Sequence, residues 1–319
     1  MDSIERKVAV VGSGVIGLTS ALRLLQAGYQ VDIYSRDGSA STASAAAGAY
    51  WWPHKTYPPE RVAAWSKATH AYYQSLRGDP HAGIAFETHY RFCKDPDECA
   101  YVLDLLDEVE VIDGKAFGVD CHEAYKVVVP VIQVPTYLPF LRAQVEAAGA
   151  VFYERDLASL DELDHRYRAI VNCSGLGARE LVADDSVYPI RGQVVLVASE
   201  GLSQDSYRIY TSDGPLTLVL PRGKDCVLGG TGQENDWDLS PREADTQAIL
   251  DRCAQLVPAV SEARVEDISV GLRPGRPEIR LELESKESMP PIIHNYGHGG
   301  GGYTVAWGCA EEVFQLVAQ

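Results

Sequence analysis

Two glycine-rich turns stand at opposite ends of the chain, and both are placed where backbone N–H groups could hold an anion. Gly12-Ser13-Gly14-Val15-Ile16-Gly17 lies near the start, and Gly297-His298-Gly299-Gly300-Gly301-Gly302-Tyr303-Thr304 opens a helical run from Val305 to Val317. A helix N-terminus offers unpaired N–H groups and partial positive charge, so two of them predict a ligand with two anionic regions. A flavin dinucleotide fits that description.

The elements that must position the first turn are legible beside it. Lys7 to Val11 reads as a fully buried strand, Leu18 to Ala27 has helical spacing of apolar residues, Gly28 ends it, and Gln30 to Tyr34 reads as a second strand. Within such a βαβ start, Gly12 permits the tight turn, Gly14 lets the backbone approach a pyrophosphate, and Gly17 lets the helix lie close on the strand. An acid about 20 residues on is expected to meet a ribose hydroxyl, and Asp37 lies there beside Arg36.

Composition bounds the class. The 319 residues are enough for two domains, and 46% hydrophobic with 23% charged residues is ordinary globular usage. A net charge of −17 argues against nucleic acid or anionic membrane as partner, because a large negative field repels phosphate. No apolar stretch reaches transmembrane length, and the N-terminus lacks the basic-then-apolar layout of a signal peptide, so a soluble, cytoplasmic protein is expected. Seven cysteines, Cys93, Cys99, Cys121, Cys173, Cys226, Cys253 and Cys309, lie dispersed without metal-type spacing; they suit a reduced compartment and predict no metal.

Further along, Pro135 to Ala148 reads as an amphipathic helix, and Ala150 to Tyr153 and Ala169 to Cys173 as short strands, the latter running into Ser174-Gly175-Leu176-Gly177. Residues 82–132 and 187–231 are rich in alternating β-type runs such as Gln193 to Val197, Leu216 to Leu220 and Cys226 to Leu228. The expected fold class is α/β with an α+β substrate part: a Rossmann-like FAD-binding domain, made of 1–50, 135–182 and 271–319, and a discontinuous, mainly antiparallel-sheet substrate domain, made of 51–134 and 183–270.

The chain resembles the D-amino acid oxidase family of flavoproteins, which includes D-aspartate oxidase, over essentially its whole length. The resemblance rests on Val11-Gly-Ser-Gly-Val-Ile-Gly-Leu18, Ala47-Gly-Ala-Tyr-Trp-Trp-Pro53, Val171-Asn-Cys-Ser-Gly-Leu-Gly177 and Arg191-Gly-Gln193. It continues through Leu228-Gly-Gly-Thr231 with Asp236-Trp237, Gly271-Leu-Arg-Pro-Gly-Arg-Pro277, His294-Asn-Tyr-Gly-His-Gly-Gly300 and Trp307-Gly-Cys-Ala310.

Carried over, the resemblance implies noncovalent FAD. Gly12, Gly14, Val15, Ile16 and Gly17 fall under its pyrophosphate, and Arg36 and Asp37 near its adenosine. Ser44, Ala47, Gly48 and Ala49 lie on the segment beside the flavin ring, and Gly299 to Thr304, which includes Gly301, Gly302 and Tyr303, surround its pyrimidine edge. Leu157, Ser174, Gly175 and Arg273 complete the cofactor set. The resemblance makes Arg273 the guanidinium that grips the substrate carboxylate and Gly300 the backbone acceptor for the substrate amine. It implies hydride transfer from the substrate Cα to flavin N5, release of an imino acid that hydrolyses to a 2-oxo acid and ammonia, and reoxidation by oxygen to give hydrogen peroxide. No acid–base residue is required once the amine is neutral. It leaves monomer or homodimer open, dimers being common in the family.

The chain departs from the family around the substrate. Leu218 stands where many members have a tyrosine whose hydroxyl adds to carboxylate binding, Tyr210 aligns only roughly with a second family tyrosine, and Gly301 replaces a larger residue. Tyr50 and Trp52 are bulkier than expected, and Tyr50 could supply the missing hydroxyl. Neutral D-amino acids are the default substrate class, and D-aspartate is disfavoured because Gly232 stands where that relative tends to have an arginine. His298 is expected to shape its loop and His54 to line the pocket entrance. A flavin enzyme acting on another amine or imino acid, and a non-catalytic flavin-binding protein, are the alternatives.

Overall fold

Each glycine turn sits at the carboxyl end of a strand in one parallel sheet. The computed structural model describes residues 6–36, 38, 42–96, 100–163, 165–211, 214–285 and 289–319. Strand β1 (Lys7–Val11) pairs in parallel with β2 (Gln30–Ser35) on one side, and the chain between them forms α1 (Val15–Gln26). Its apolar run Val8 to Val11 is buried on both faces, which is why it shows no alternation.

The rest of the chain alternates between this sheet and a second one. After α2 (Pro59–Ser75) come β3 (Ile84–Cys93), β4 (Val109–Val111) and β5 (Glu123–Ile132) of the second sheet, then α3 (Val134–Ala147). Strands β6 (Val151–Glu154) and β7 (Ala169–Asn172) return to the first sheet, followed by the short α4 (Ala178–Leu181). The second sheet resumes with β8 (Tyr188–Ala198), β9 (Ser206–Tyr210), β10 (Thr217–Pro221), β11 (Asp225–Gly229) and β12 (Gln233–Glu234). Helix α5 (Glu243–Leu256) and β13 (Val265–Gly275) complete it. Finally β14 (Arg280–Glu284), β15 (Ile292–Tyr296) and α6 (Gly302–Ala318) close the first sheet and its helical layer.

The first sheet has the order β14-β15-β7-β1-β2-β6, parallel throughout except for β14. The second follows β12-β8-β11-β10-β9-β3-β5-β4, with β13 along β8; only the β3–β9 pairing is parallel. Strand β13 runs across residue 271, the expected start of the last cofactor segment, and pairs Arg273 opposite Ile190. Arg273 is therefore mounted on the second sheet.

Period-two alternation sorts the second sheet into two faces. Val195, Val197, Val219, Cys226 and Leu228 pack under α5 with Ile249 and Cys253. Leu218, Leu220 and Val227 turn the other way, against Val131 and Tyr50. No helix among the described residues is long and apolar enough to cross a membrane.

Candidate active site

The start of α1 is built so that only glycine fits. Gly12 has φ +112°, and a Cβ there would lie 2.3 Å from the Cys173 carbonyl oxygen; one on Gly17 would lie 2.0 Å from the Gly12 carbonyl oxygen. The helix can thus rest on the strand end with its first turn open. Gly14 is the N-cap, Ser44 Oγ accepts from Val15 N at 3.0 Å, and the first turn carries no acidic residue.

Helix α6 repeats the device, again with no acid in its first turn; α3 shares that lack without a glycine start, whereas α2 and α5 have Glu60 and Glu243 with Asp245 there. The partial positive charge of these two ends is left for something other than the chain's own carboxylates. The ends are neighbours: a Cβ on Gly302 would stand 3.8 Å from Val15 Cγ1. The two glycine turns expected to serve one ligand are brought together.

Segment 44–56 is threaded between these turns and the second sheet. Tyr303 Oη donates to the Ser44 carbonyl at 3.0 Å, and Thr304 Oγ1 donates to the Trp52 carbonyl at 3.0 Å and accepts from its N–H at 3.2 Å. Gly48 packs on Val227, and the Ala49 carbonyl accepts from Ile132 N. A Cβ on Gly299 would fall 2.1 Å from the Lys55 carbonyl oxygen, one on Gly300 2.8 Å from His54 Cδ2, and one on Gly301 2.2 Å from Thr56 Oγ1. The space vacated at Gly301 is therefore filled by Thr56. This glycine-lined cradle at two adjacent, acid-free helix ends fits a dinucleotide.

The other expected cofactor positions are spread more widely. Ser174 and Gly175 follow β7, and a Cβ on Gly175, whose φ is +59°, would lie 3.9 Å from Pro274 Cβ. Leu157 packs near Val11 and Tyr34 at the strand ends, Arg36 is exposed beyond β2, and Asp37 lies outside the described residues. Cys309 is buried with Val62, Trp65 and Val305.

Arg273 lies over Gly192, where a Cβ would come within 2.2 Å of its Nη1, and that nitrogen donates to the Thr231 carbonyl at 3.2 Å. Burial, and then the charge of Arg208, hold its pKa down to about 10, so it remains a cation at neutral pH. Among the described residues no carboxylate pairs with it. The His54 ring meets the same charges: burial first, then Arg208, Arg273, Lys55 and Arg91, push its pKa well below the usual imidazole range. It is a neutral wall of the site.

The other expected substrate residues lie on β9, β10 and segment 44–56. Leu218 is buried opposite Gly229 on one side and Arg208 on the other. Trp52 and Tyr210 sandwich the Arg91 guanidinium, at 4.5 Å and 5.0 Å to the ring centres. Tyr50 lies with its ring 4.8 Å from that of His89. The sequence reasoning missed Arg91, Arg208 and His89. Their signal was polar residues on the inward phase of β3 and β9, where Phe92 and Ile209 occupy the other phase.

His298 is buried, with Nε2 3.1 Å from Asn295 Oδ1, and burial pushes its pKa down to about 3. Because the unfolded value is near 6.5, the unfolded chain binds the extra proton first. The stability this neutral histidine supports is present above pH 6.5 and lost as pH falls toward 3, by at most about 1.4 kcal/mol per pH unit. His298→Gln is expected to reduce the drop in urea-unfolding stability between pH 7 and pH 4.5 by about 2 kcal/mol; an unchanged drop would show that the ring is not held neutral.

The chain matches the FAD dependent oxidoreductase family model over residues 7–316. It is 40% identical over 317 residues to a D-amino-acid oxidase of Rubrobacter xylanophilus, covering 98% of this chain and 96% of the relative. A D-amino-acid oxidase of Streptomyces coelicolor is 36% identical over 328 residues, covering 99% and 98%. Among solved structures, glycine oxidase from Geobacillus kaustophilus superposes with a TM-score of 0.80 at 21% identity, covering 98% of this chain and 95% of that one, a likeness of fold.

Proposed function

This chain belongs to the FAD dependent oxidoreductase family, and from that membership and its site we infer that it oxidatively deaminates D-amino acids with bound FAD. The observation that carries the reading is Arg273: a desolvated guanidinium with no carboxylate of its own among the described residues, whose neighbour Pro274 accepts from Gly299 N at 2.8 Å in the glycine loop that opens α6. A planar carboxylate is the natural complement of its two parallel donors. When bound, FAD supplies the hydride acceptor for the substrate Cα–H and passes the electrons to oxygen, giving hydrogen peroxide.

The chain's own residues bind and orient. Gly12 to Gly17 would hold the pyrophosphate, and Gly299 to Thr304, with Ser44 and Ala47 to Ala49, the ring. Arg273 fixes the α-carboxylate, and the Gly300 carbonyl would accept from the amine. The N–H groups opening α6 would stabilise negative charge on the bound cofactor's ring. Trp52, Leu218 and Tyr50 exclude water from the reacting carbon. Neither His54 nor His298 is poised as a base, since burial lowers the pKa of each and makes it a poor proton acceptor, so rate comes from orientation and electrostatics. We assign the cofactor to segments 1–50, 135–182 and 271–319, with β13 carrying Arg273 in from the substrate sheet. A cytoplasmic setting accords with the dispersed free cysteines.

Anaerobic reduction of the yellow protein by matched D- and L-amino acids, followed by oxygen and a peroxide assay, tests the reading. Bleaching by D-amino acids with peroxide on reoxidation is expected. Bleaching by neither set, or only by L-amino acids, would overturn it.

A further inference from the structure

A second buried arginine, Arg208, reaches the His54 ring, which itself packs against Gly300. Arg208 is only 5% exposed, its Nε has no hydrogen-bond partner, and its Nη2 meets only the neutral His54 Nδ1, at 3.4 Å. Arg191 shows what a structural buried arginine looks like in this protein. Its guanidinium donates to the Asp238 and Ser240 carbonyls, the Asp245 carboxylate, Gln233 and Gln193. Arg208 has none of that satisfaction, and no acidic side chain among the described residues neutralises it.

We propose that Arg208 forms a second anion subsite, which takes a carboxylate on the substrate side chain, so that the preferred substrates are acidic D-amino acids. The proposal rests on the reading that Arg273 holds the α-carboxylate, and it identifies the substrate class of that site. Two features of the geometry favour a second carboxylate over joint binding of the first. Arg208 is on β9 and Arg273 on β13, with β10, β11 and β8 between them, so the two side chains enter from opposite flanks. Leu218, opposite Arg208 on one side and Gly229 on the other, gives the strands between them an apolar surface that offers a substrate carbon chain nothing polar.

Charge decides in the same direction. A monocarboxylate neutralises one guanidinium and leaves the other buried without a counter-ion, an arrangement that costs several kcal/mol. His54 cannot compensate, being neutral, and Lys55 is turned outward to Glu234 at 2.6 Å. A dicarboxylate satisfies both cations. The arginine absent at Gly232 is thereby replaced from a different strand.

The test compares D-aspartate and D-glutamate with D-asparagine and D-glutamine in the FAD-loaded wild type, Arg208→Met and Arg208→Lys. Succinate and butyrate serve as non-reacting probes of the flavin absorption spectrum. In the wild type the acids are expected to exceed their amides in kcat/KM by about 100-fold, and succinate to perturb the spectrum at far lower concentration than butyrate. Arg208→Met is expected to collapse both ratios toward one, and Arg208→Lys to restore part of them. A wild type that prefers the amides, or an Arg208→Met protein whose ratios are unchanged, would overturn the subsite. Equal losses on acids and amides would assign Arg208 to the α-carboxylate or the fold instead. Reduction by no D-amino acid at all would instead overturn the parent reading, and the subsite with it.

Discussion

Arg273→Met is expected to lower kcat/KM for every D-amino acid substrate by roughly 30- to 4,000-fold while the purified protein stays yellow, because losing one partner of a buried charge pair costs about 2–5 kcal/mol. The fold should tolerate it. The guanidinium is already destabilised by burial and by Arg208, and Nη1 donates only to the Thr231 carbonyl among the described residues. Stopped-flow reduction under saturating substrate separates weaker binding from misorientation. Bound FAD with normal kcat/KM would show that the carboxylate binds elsewhere. FAD lost in step with activity would make Arg273 a cofactor residue and not a substrate residue.

Gly17→Ala is expected to yield a colourless or weakly coloured protein. The new methyl would overlap the Gly12 carbonyl, with 2.0 Å to the oxygen and 2.9 Å to its carbon, and backbone cannot swing aside as a side chain can. Helix α1 must lift from β1, which closes the pyrophosphate cradle and costs about 3 kcal/mol or more. The protein then also loses the stabilisation that bound cofactor confers, so its Tm should fall by roughly 10 °C. Gly177→Ala is the matched control, since φ there is −61° and the nearest neighbour, Ser174 Cβ, would be 3.6 Å away. FAD content by absorbance and Tm by calorimetry decide the matter; a fully yellow Gly17→Ala protein with unchanged Tm would refute the close helix–strand contact.

Much of this architecture was legible because its signals are local. The buried run Lys7 to Val11, the glycines after it and the apolar spacing beyond specify strand, turn and helix within a few turns of chain, and the structure has β1, α1 and β2 there. The helix expected from Pro135 runs Val134–Ala147, and the strand expected over Gln193 to Val197 extends to Tyr188–Ala198. Longer β8 is a tertiary effect: β13 pairs along its whole length and recruits flanking residues that carry no strand signal alone. Arg208 was not legible for the same kind of reason. One arginine within Ser206–Tyr210 looks like a solvated residue until β3 and β10 are known to flank it on both sides. Gly301 stands where the family often has a larger residue, and Thr56, far away in sequence, occupies the volume.

The threading of residues 54–56 through the run of glycines makes that loop a closed seam. Lys55, His54 and Thr56 each sit where a side chain on Gly299, Gly300 or Gly301 would have to go, so the loop cannot be varied one residue at a time. Substitutions there become accessible only as compensated pairs, such as bulk at 301 with a loss at 56. An engineer seeking new substrates would therefore find little freedom at the ring's edge. The freedom lies across the cavity, on the inward side chains of β9 and β10, where retailoring a single position leaves the seam intact.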